Sequence, residues 1–126
     1  DNIYFTHYVS GAAYMQTYIT GTTPADIWFL LTVTHTPGAA AANYLLYTNA
    51  VLAATTVVSD NLTGDATTAS TTPGRIGCRG EDGNTSLFYP GRMFLPVIAT
   101  QVWSAATITN FWQTTNPTNF TGTMPP

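Results

Sequence analysis

The chain contains no lysine. Its cations are Arg75, Arg79 and Arg92, set against six acidic residues, and charged residues make up 7% of the sequence where about 25% is usual. Neutralising a phosphate backbone requires a basic stripe, so this composition argues against a nucleic-acid partner. Cys78 stands alone, which excludes an intrachain disulfide and leaves the redox compartment open; a small buried or half-buried thiol is expected. No apolar run approaches the roughly 20 residues of a membrane-spanning helix. The N-terminal residues Asp1-Asn2-Ile3-Tyr4 have neither the basic start nor the apolar core of a signal peptide. They also lack an initiating methionine, so a processed chain or a fragment is expected.

Hydrophobic residues make up 44% of the 126, including three Trp, seven Tyr and six Phe, which is far too aromatic for a disordered segment. Threonine is abundant and, with asparagine, takes the place of surface Lys and Glu. Thr, Val and the aromatics favour pleated, half-buried surfaces, so an all-β fold is expected, built as one domain over residues 1–126. Ile3–Val9 reads as a strand ended by Ser10-Gly11. Tyr14–Thr20 reads as a second, with Tyr14, Gln16, Tyr18 and Thr20 alternating against Met15, Thr17 and Ile19. Ile27–Thr34 is a third. Ala39–Ala42 is too short to nucleate a helix and reads as a connection or a single helical turn. Asn43–Leu52 forms two strand arms about an Asn49-Ala50 corner. Ser59–Pro73 reads as a long polar loop with room for one short strand, and Arg79–Thr85 as a second polar loop. Ser104 is a candidate N-cap for a short C-terminal helix whose Ile108, Phe111 and Trp112 share one face, stopped by Asn116-Pro117.

The order of the parts from Trp28 onward carries a resemblance. A Trp-led strand is followed by Tyr44-Leu45-Leu46-Tyr47-Thr48-Asn49-Ala50-Val51-Leu52, then Ile76-Gly77, then Gly91-Arg92-Met93, then a helix opening at Ser104-Ala105-Ala106-Thr107-Ile108. Over residues 27–113 this resembles the C-terminal half of a laminin-G-like, concanavalin-A-like domain. The resemblance implies an antiparallel two-sheet sandwich of jelly-roll type, with Trp28, Leu31, Val33, Ile76 and Ile98 in its core. It also implies a role in recognition and adhesion, of the kind found in secreted adhesins and in phage tail or capsid appendages. Only about 26 residues precede the Trp-led strand, so further strands are expected upstream in a longer polypeptide or from a neighbouring chain.

Two departures from the family pattern are physically informative. Its Asn-Gly corner is Asn49-Ala50 here, and because Ala resists positive φ, a looser corner is expected. Its polar outer positions are Phe29, Leu30, Phe94 and Leu95 here, giving unbroken apolar runs over 27–31 and 93–99. A strand with one wet face alternates, whereas a continuous apolar run indicates cover on both faces. That cover is either another subunit or domain or loops of the same chain, and Phe29, Leu30, Phe94 and Leu95 are the candidate interface residues.

The sequence shows no paired carboxylates, no nucleophile–base pattern and no phosphate loop, so enzymatic activity is not expected. His7 and His35 are expected to be structural or surface residues. Glu81, Asp82 and Asn84 are either solvated loop charges or a weak calcium candidate, since their oxygens are suitably hard ligands; no other cofactor is indicated. For sugar recognition the candidates are Tyr14, Tyr18, Tyr47, Asp82, Asn84 and Trp103, with packing as the alternative role for the tyrosines. Asn61-Leu62-Thr63, Asn84-Thr85-Ser86 and Asn119-Phe120-Thr121 fit the glycosylation triplet, as chance allows in a chain so rich in Asn and Thr. The expected function is therefore a non-enzymatic structural or decorative module of an extracellular or virion assembly, oligomeric through its apolar faces. A lectin-like carbohydrate- or receptor-binding domain is the alternative.

Overall fold

The computed structural model describes residues 2–10, 13–21, 28–62, 78–81, 84–88, 93 and 96–116, with the backbone alone for 8–10, 78–81 and 84–88. The expected element over Gly74–Gly77, the core residue Ile76, the candidates Asp82, Phe94 and Leu95, and the tail from 117 onward lie outside the described residues. The chain divides into two compact units, Asp1–Ala66 with Gln101–Pro126, and Thr67–Thr100.

The first unit is built on two antiparallel three-stranded sheets and one short helix. Strands β1 (Ile3–Ser10), β2 (Ala13–Ile19) and β6 (Thr55–Asp60) form one sheet in the order β1-β2-β6. Strands β3 (Leu31–His35), β4 (Tyr44–Thr48) and β5 (Val51–Leu52) form the other in the order β3-β4-β5. In the second unit β7 (Cys78–Glu81) and β8 (Asn84–Phe88) make a hairpin. Part of the stretch expected as a polar loop, Arg79–Thr85, is therefore strand. The all-β expectation holds in this coarse form.

Register decides which residues meet. On β1 and β2 the pairs Ile3–Ile19, Phe5–Thr17 and His7–Met15 alternate with Tyr4–Tyr18 and Thr6–Gln16. Met15 and Thr17 are fully buried, whereas Tyr4 and Thr6 are exposed, so the first set faces the core. On the second sheet the pairs Val33–Leu46 and His35–Tyr44 face the same core. Met15, Ala41, Tyr44 and Leu46 form its centre, with Phe5, Ile19, Val33 and Leu62 packed against it. One cluster thus takes side chains from both sheets.

Two core expectations are corrected. Leu31 is 42% exposed. It is the first residue of β3 and pairs with Thr48 beside the turn, at the end of the sheet and beyond the buried centre. Trp28, Phe29 and Leu30 precede the strand and are half-buried, so the apolar run over 27–31 is mostly not strand, and its continuity reports no doubly covered strand. Ile98 is 88% exposed and lies in a non-strand segment, where no sheet face receives it. Met93 and Val97 are also exposed, and the expected strand after Met93 is absent among the described residues.

The Asn49-Ala50 corner is tight, contrary to expectation. Thr48 pairs directly with Val51, and both corner residues have positive φ, 49° at Asn49 and 65° at Ala50. This is the backbone of a two-residue hairpin turn that favours Asn-Gly. Asn49 is tied to the chain entering β3: its Oδ1 accepts from Leu30 N–H at 2.9 Å, and its own N–H donates to the Leu30 carbonyl at 2.9 Å. With register, turn and this clamp all favouring the tight form, Ala50 is held in a region that costs an L-residue about 1–2 kcal/mol.

The 3₁₀ turn Ala41–Asn43 takes the place of a helix in the alanine run. Upstream of it, Gly38 has φ 130°, a conformation that favours glycine, and a side chain there would have to push the Asn43 amide aside. Helix α1 (Ala105–Thr115) is capped as expected: Ser104 Oγ accepts from Thr107 N–H at 3.1 Å, and Ile108 is fully buried. The helix packs beside β5.

Two predictions follow from these positions. Replacing Ala50 with Gly removes the positive-φ penalty and should stabilise the protein by about 0.5–1 kcal/mol in chemical denaturation. Met15→Ala or Leu46→Ala should destabilise it by about 2–5 kcal/mol, whereas Leu31→Ala, at an exposed strand end, should cost under about 1 kcal/mol. A larger loss at Leu31 than at Leu46 would reverse the assignment of the core.

Candidate functional site

Two arrangements in the first unit bring together side chains far apart in sequence. The first is the outer face of the β1-β2-β6 sheet. Tyr4 and Tyr18 are cross-strand partners with ring centroids 5.2 Å apart and tilted by 47°. Beside them Gln16 Nε2 donates to Thr6 Oγ1 at 3.0 Å, and Thr56 pairs with Tyr18 from β6. Tyr4 is 55% exposed, and Tyr14, Gln16 and Tyr18 are half-buried. Alternation along β2 puts Tyr14 on the same face as Tyr18. The surface combines aromatic rings, hydroxyls and a side-chain amide, and its named residues carry no formal charge.

The second arrangement lies on the inner side and involves residues expected to be only structural or surface groups. His7 of β1 reaches across to Tyr44 of β4, where its Nδ1 and the Tyr44 hydroxyl share a hydrogen bond of 2.5 Å. His35 of β3 stacks face to face on Tyr44 with centroids 4.1 Å apart, and meets His7 edge-on at 6.1 Å. The Phe5 ring packs on Tyr44 at 5.6 Å. His35 Nε2 donates to the Gly38 carbonyl at 2.9 Å, which fixes that ring. His7 Nε2 is buried and has no hydrogen-bond partner among the described residues. Asp60, at the end of β6, accepts from Ala41 N–H at 2.9 Å and so binds the 3₁₀ turn to the first sheet.

Electrostatics follow from this packing. Burial, and then the neighbouring His35, hold the His7 ring below the ordinary imidazole value of 6.5. Burial, and then the negative charge of Asp60, push the Tyr44 hydroxyl above the ordinary phenol range. Among the described residues no group of three His, Cys, Asp or Glu is placed to hold a metal ion.

The sequence-based candidates divide among these places. Tyr14 and Tyr18 share the outer face just described. Tyr47 is buried on the opposite face of β4 from Tyr44, with its ring withdrawn from solvent. Trp103 is half-buried against Phe111 of α1, with ring centroids 5.2 Å apart, so it packs on the helix. Glu81 and Asn84 are backbone partners at the end of the β7-β8 hairpin; their side chains, like Asp82, lie outside the description. Phe29 and Leu30 are half-buried ahead of β3. Tyr4 and Gln16 were missed as site residues, although the period-two alternation already put Gln16 in line with Tyr14 and Tyr18. No sequence signal joined His7 to His35, because their meeting depends on how the two sheets stack.

No protein-family model matches the chain, and no curated protein or solved structure is significantly similar to it.

The Tyr44 geometry generates one prediction. Its raised pKa means that the folded state favours the neutral phenol. The stability this provides is present below the unfolded value of 10.0 and is lost as pH rises through the folded value. The denaturation midpoint should therefore fall on the alkaline side, and Tyr44→Phe should shrink that fall. At neutral pH the same variant should cost about 1–3 kcal/mol, since it leaves His7 with neither ring nitrogen partnered.

Proposed function

We propose that this chain is a β-sandwich module, without enzymatic activity, that serves as a structural or decorative part of a larger extracellular or virion assembly. The sandwich reading is supported by the shared core and by the step from β5 to β6. Two residues, Ala53 and Ala54, carry the chain from one sheet to the other. Three Cα–Cα steps span at most about 11 Å, close to the roughly 10 Å between stacked sheets.

The observation that carries the assembly reading is the apolar character of the two strands that meet at that step. β5 and β6 are each terminal in their sheets, and Val51, Leu52, Val57 and Val58 are exposed on them, Val51 by 68%. Neither strand carries lysine or proline to protect its edge, although a bulge at Val58 interrupts β6. Burying such a side chain fully contributes roughly 1.5–3 kcal/mol, and these are already partly covered. Four of them together fall short of the higher estimates within the roughly 4–15 kcal/mol cost of association, so a stable contact has to extend further. Leu45, exposed on the same sheet, is available to it. The helix packed beside β5 covers part of this sheet from within the same chain, so only the remaining edge region needs a neighbour.

A second reading is favoured by the uncharged Tyr4–Tyr18 face. Aromatic rings beside hydroxyl and amide groups suit a neutral carbohydrate, whose apolar ring faces stack and whose hydroxyls need partners. The absence of cations among its described residues argues against sulfated or phosphorylated ligands.

Both readings are open to direct test. The intact mass in solution should exceed that of the 13.5 kDa chain, and Val51→Lys with Val57→Lys should return it to the monomer while circular dichroism stays unchanged. A wild-type protein that remains monomeric at high concentration would sink the assembly reading. For the second, the chain should co-sediment with an insoluble neutral polysaccharide, and Tyr4→Ala or Tyr18→Ala should weaken retention several-fold; equal retention of both variants would remove that face from consideration.

A further inference from the structure

The inner cluster has a property that neither assembly nor sugar binding uses. His7 comes from the β1-β2-β6 sheet, and Tyr44 and His35 come from the β3-β4-β5 sheet. The hydrogen bond between His7 Nδ1 and the Tyr44 hydroxyl therefore joins the two sheets directly, within the core cluster that also holds Met15 and Leu46. This polar joint is only half satisfied, because His7 Nε2 is buried without a partner among the described residues.

We propose that His7, Tyr44 and His35 form an acid-sensitive latch that holds the two sheets together when His7 is neutral and loosens them when it takes up a proton. The argument rests on the donor and acceptor inventory. Neutral imidazole has one N–H and one acceptor nitrogen, whereas imidazolium has two N–H groups and no acceptor. At neutral pH one ring nitrogen pairs with the Tyr44 hydroxyl, and the other is an uncharged buried atom. A second proton requires two acceptors, and the Tyr44 oxygen is the one in reach of Nδ1. Nε2 would then carry an N–H and a share of a positive charge into a buried position with no acceptor, which is far more costly than an unpartnered neutral atom.

The surrounding groups do not offset that cost. The titratable groups packed about the cluster, among the described residues, are His35 from β3, Tyr44 from β4 and Asp60 from β6. His35 adds repulsion when charged, and its Nε2 is already committed to the Gly38 carbonyl. Tyr44 is neutral in this pH range. Asp60 supplies the one negative charge; it is engaged with Ala41 N–H, and its electrostatic effect falls on Tyr44. Relief comes from moving β1 away from β4 so that water reaches Nε2. That motion opens the Met15–Leu46 core.

The direction of the pH effect follows from linkage. The folded state holds the His7 pKa below 6.5, so as pH falls past that value the unfolded or opened state takes up the proton first. Stability is complete above the unfolded pKa and is lost as pH falls through the window down to the folded pKa.

The test uses the full chain. Its chemical-denaturation midpoint, followed from about pH 8 to about pH 5, should decrease through the imidazole range. In His7→Gln, whose amide keeps a hydrogen-bonding group near Tyr44 without a titrating proton, the profile should be flat over the same range. His35→Gln should retain a clear acid loss. If the wild-type profile is flat, or if His7→Gln loses stability in acid as steeply as the wild type, the latch is overturned. Should His7→Gln fail to fold, the His7 ring resonances of the wild type decide the matter by NMR. A titration midpoint below 6.5, with faster exchange of the Met15 and Leu46 amides as it is crossed, supports the latch. A midpoint at or above that value overturns it.

Discussion

The contact on which the first unit depends is made by Tyr44. Its ring is buried among Phe5, His7 and His35, and its hydroxyl bonds to His7. Apolar burial alone would hold two small sheets together without fixing their relative position, because the hydrophobic effect is non-directional. A phenol with one apolar body and one polar end supplies that direction. Its body sits in the cluster with Met15 and Leu46, and its hydroxyl is hydrogen-bonded to His7. Asp60 adds a second fixed point by holding the 3₁₀ turn that immediately precedes Tyr44. Polar groups within an otherwise apolar cluster thus set where the two sheets meet.

Much of the local structure was legible in the sequence, for reasons particular to each element. Strands β1 and β2, the hairpin about Asn49-Ala50 and the Ser104 cap all rest on short-range rules: period-two alternation, turn position and an N-cap hydroxyl. The elements that were missed obey weaker or competing signals. β6, Thr55–Asp60, contains a Val-Val pair and no alternation, because its bulge breaks the period. Most of β7 and the start of β8 were read as a polar loop over Arg79–Thr85, because Arg79, Glu81 and Asn84 dominate that stretch; two residues, Asp82-Gly83, separate the strands, and that dipeptide is itself a hairpin signal.

Long-range placement was the less legible part. Leu31 is apolar and follows the Trp-led segment, so sequence favoured the core, yet its fate was set by where the strand began. Ala50 was expected to loosen its turn on intrinsic preference, but the Asn49–Leu30 clamp and the Thr48–Val51 pairing override a penalty of that size. The meeting of His7 with His35 is a property of sheet stacking and leaves no trace in local pattern. Of the candidate site, Tyr14 and Tyr18 were visible through alternation, while Tyr47 was withdrawn by the burial of its own face.

The bulge in β6 has a consequence for how copies of the chain can associate. Gln16 faces Ser59 and Thr17 faces Val57, so Val58 is an extra residue in the outer strand. An uninterrupted strand at the border of a sheet is a template for the next strand, and the next after that, which is the route to fibrils. One unmatched residue breaks the repeat of backbone donors and acceptors and increases the local twist, so a neighbour docked there cannot extend an indefinite ladder. Val58 thus disfavours continued backbone pairing along that edge.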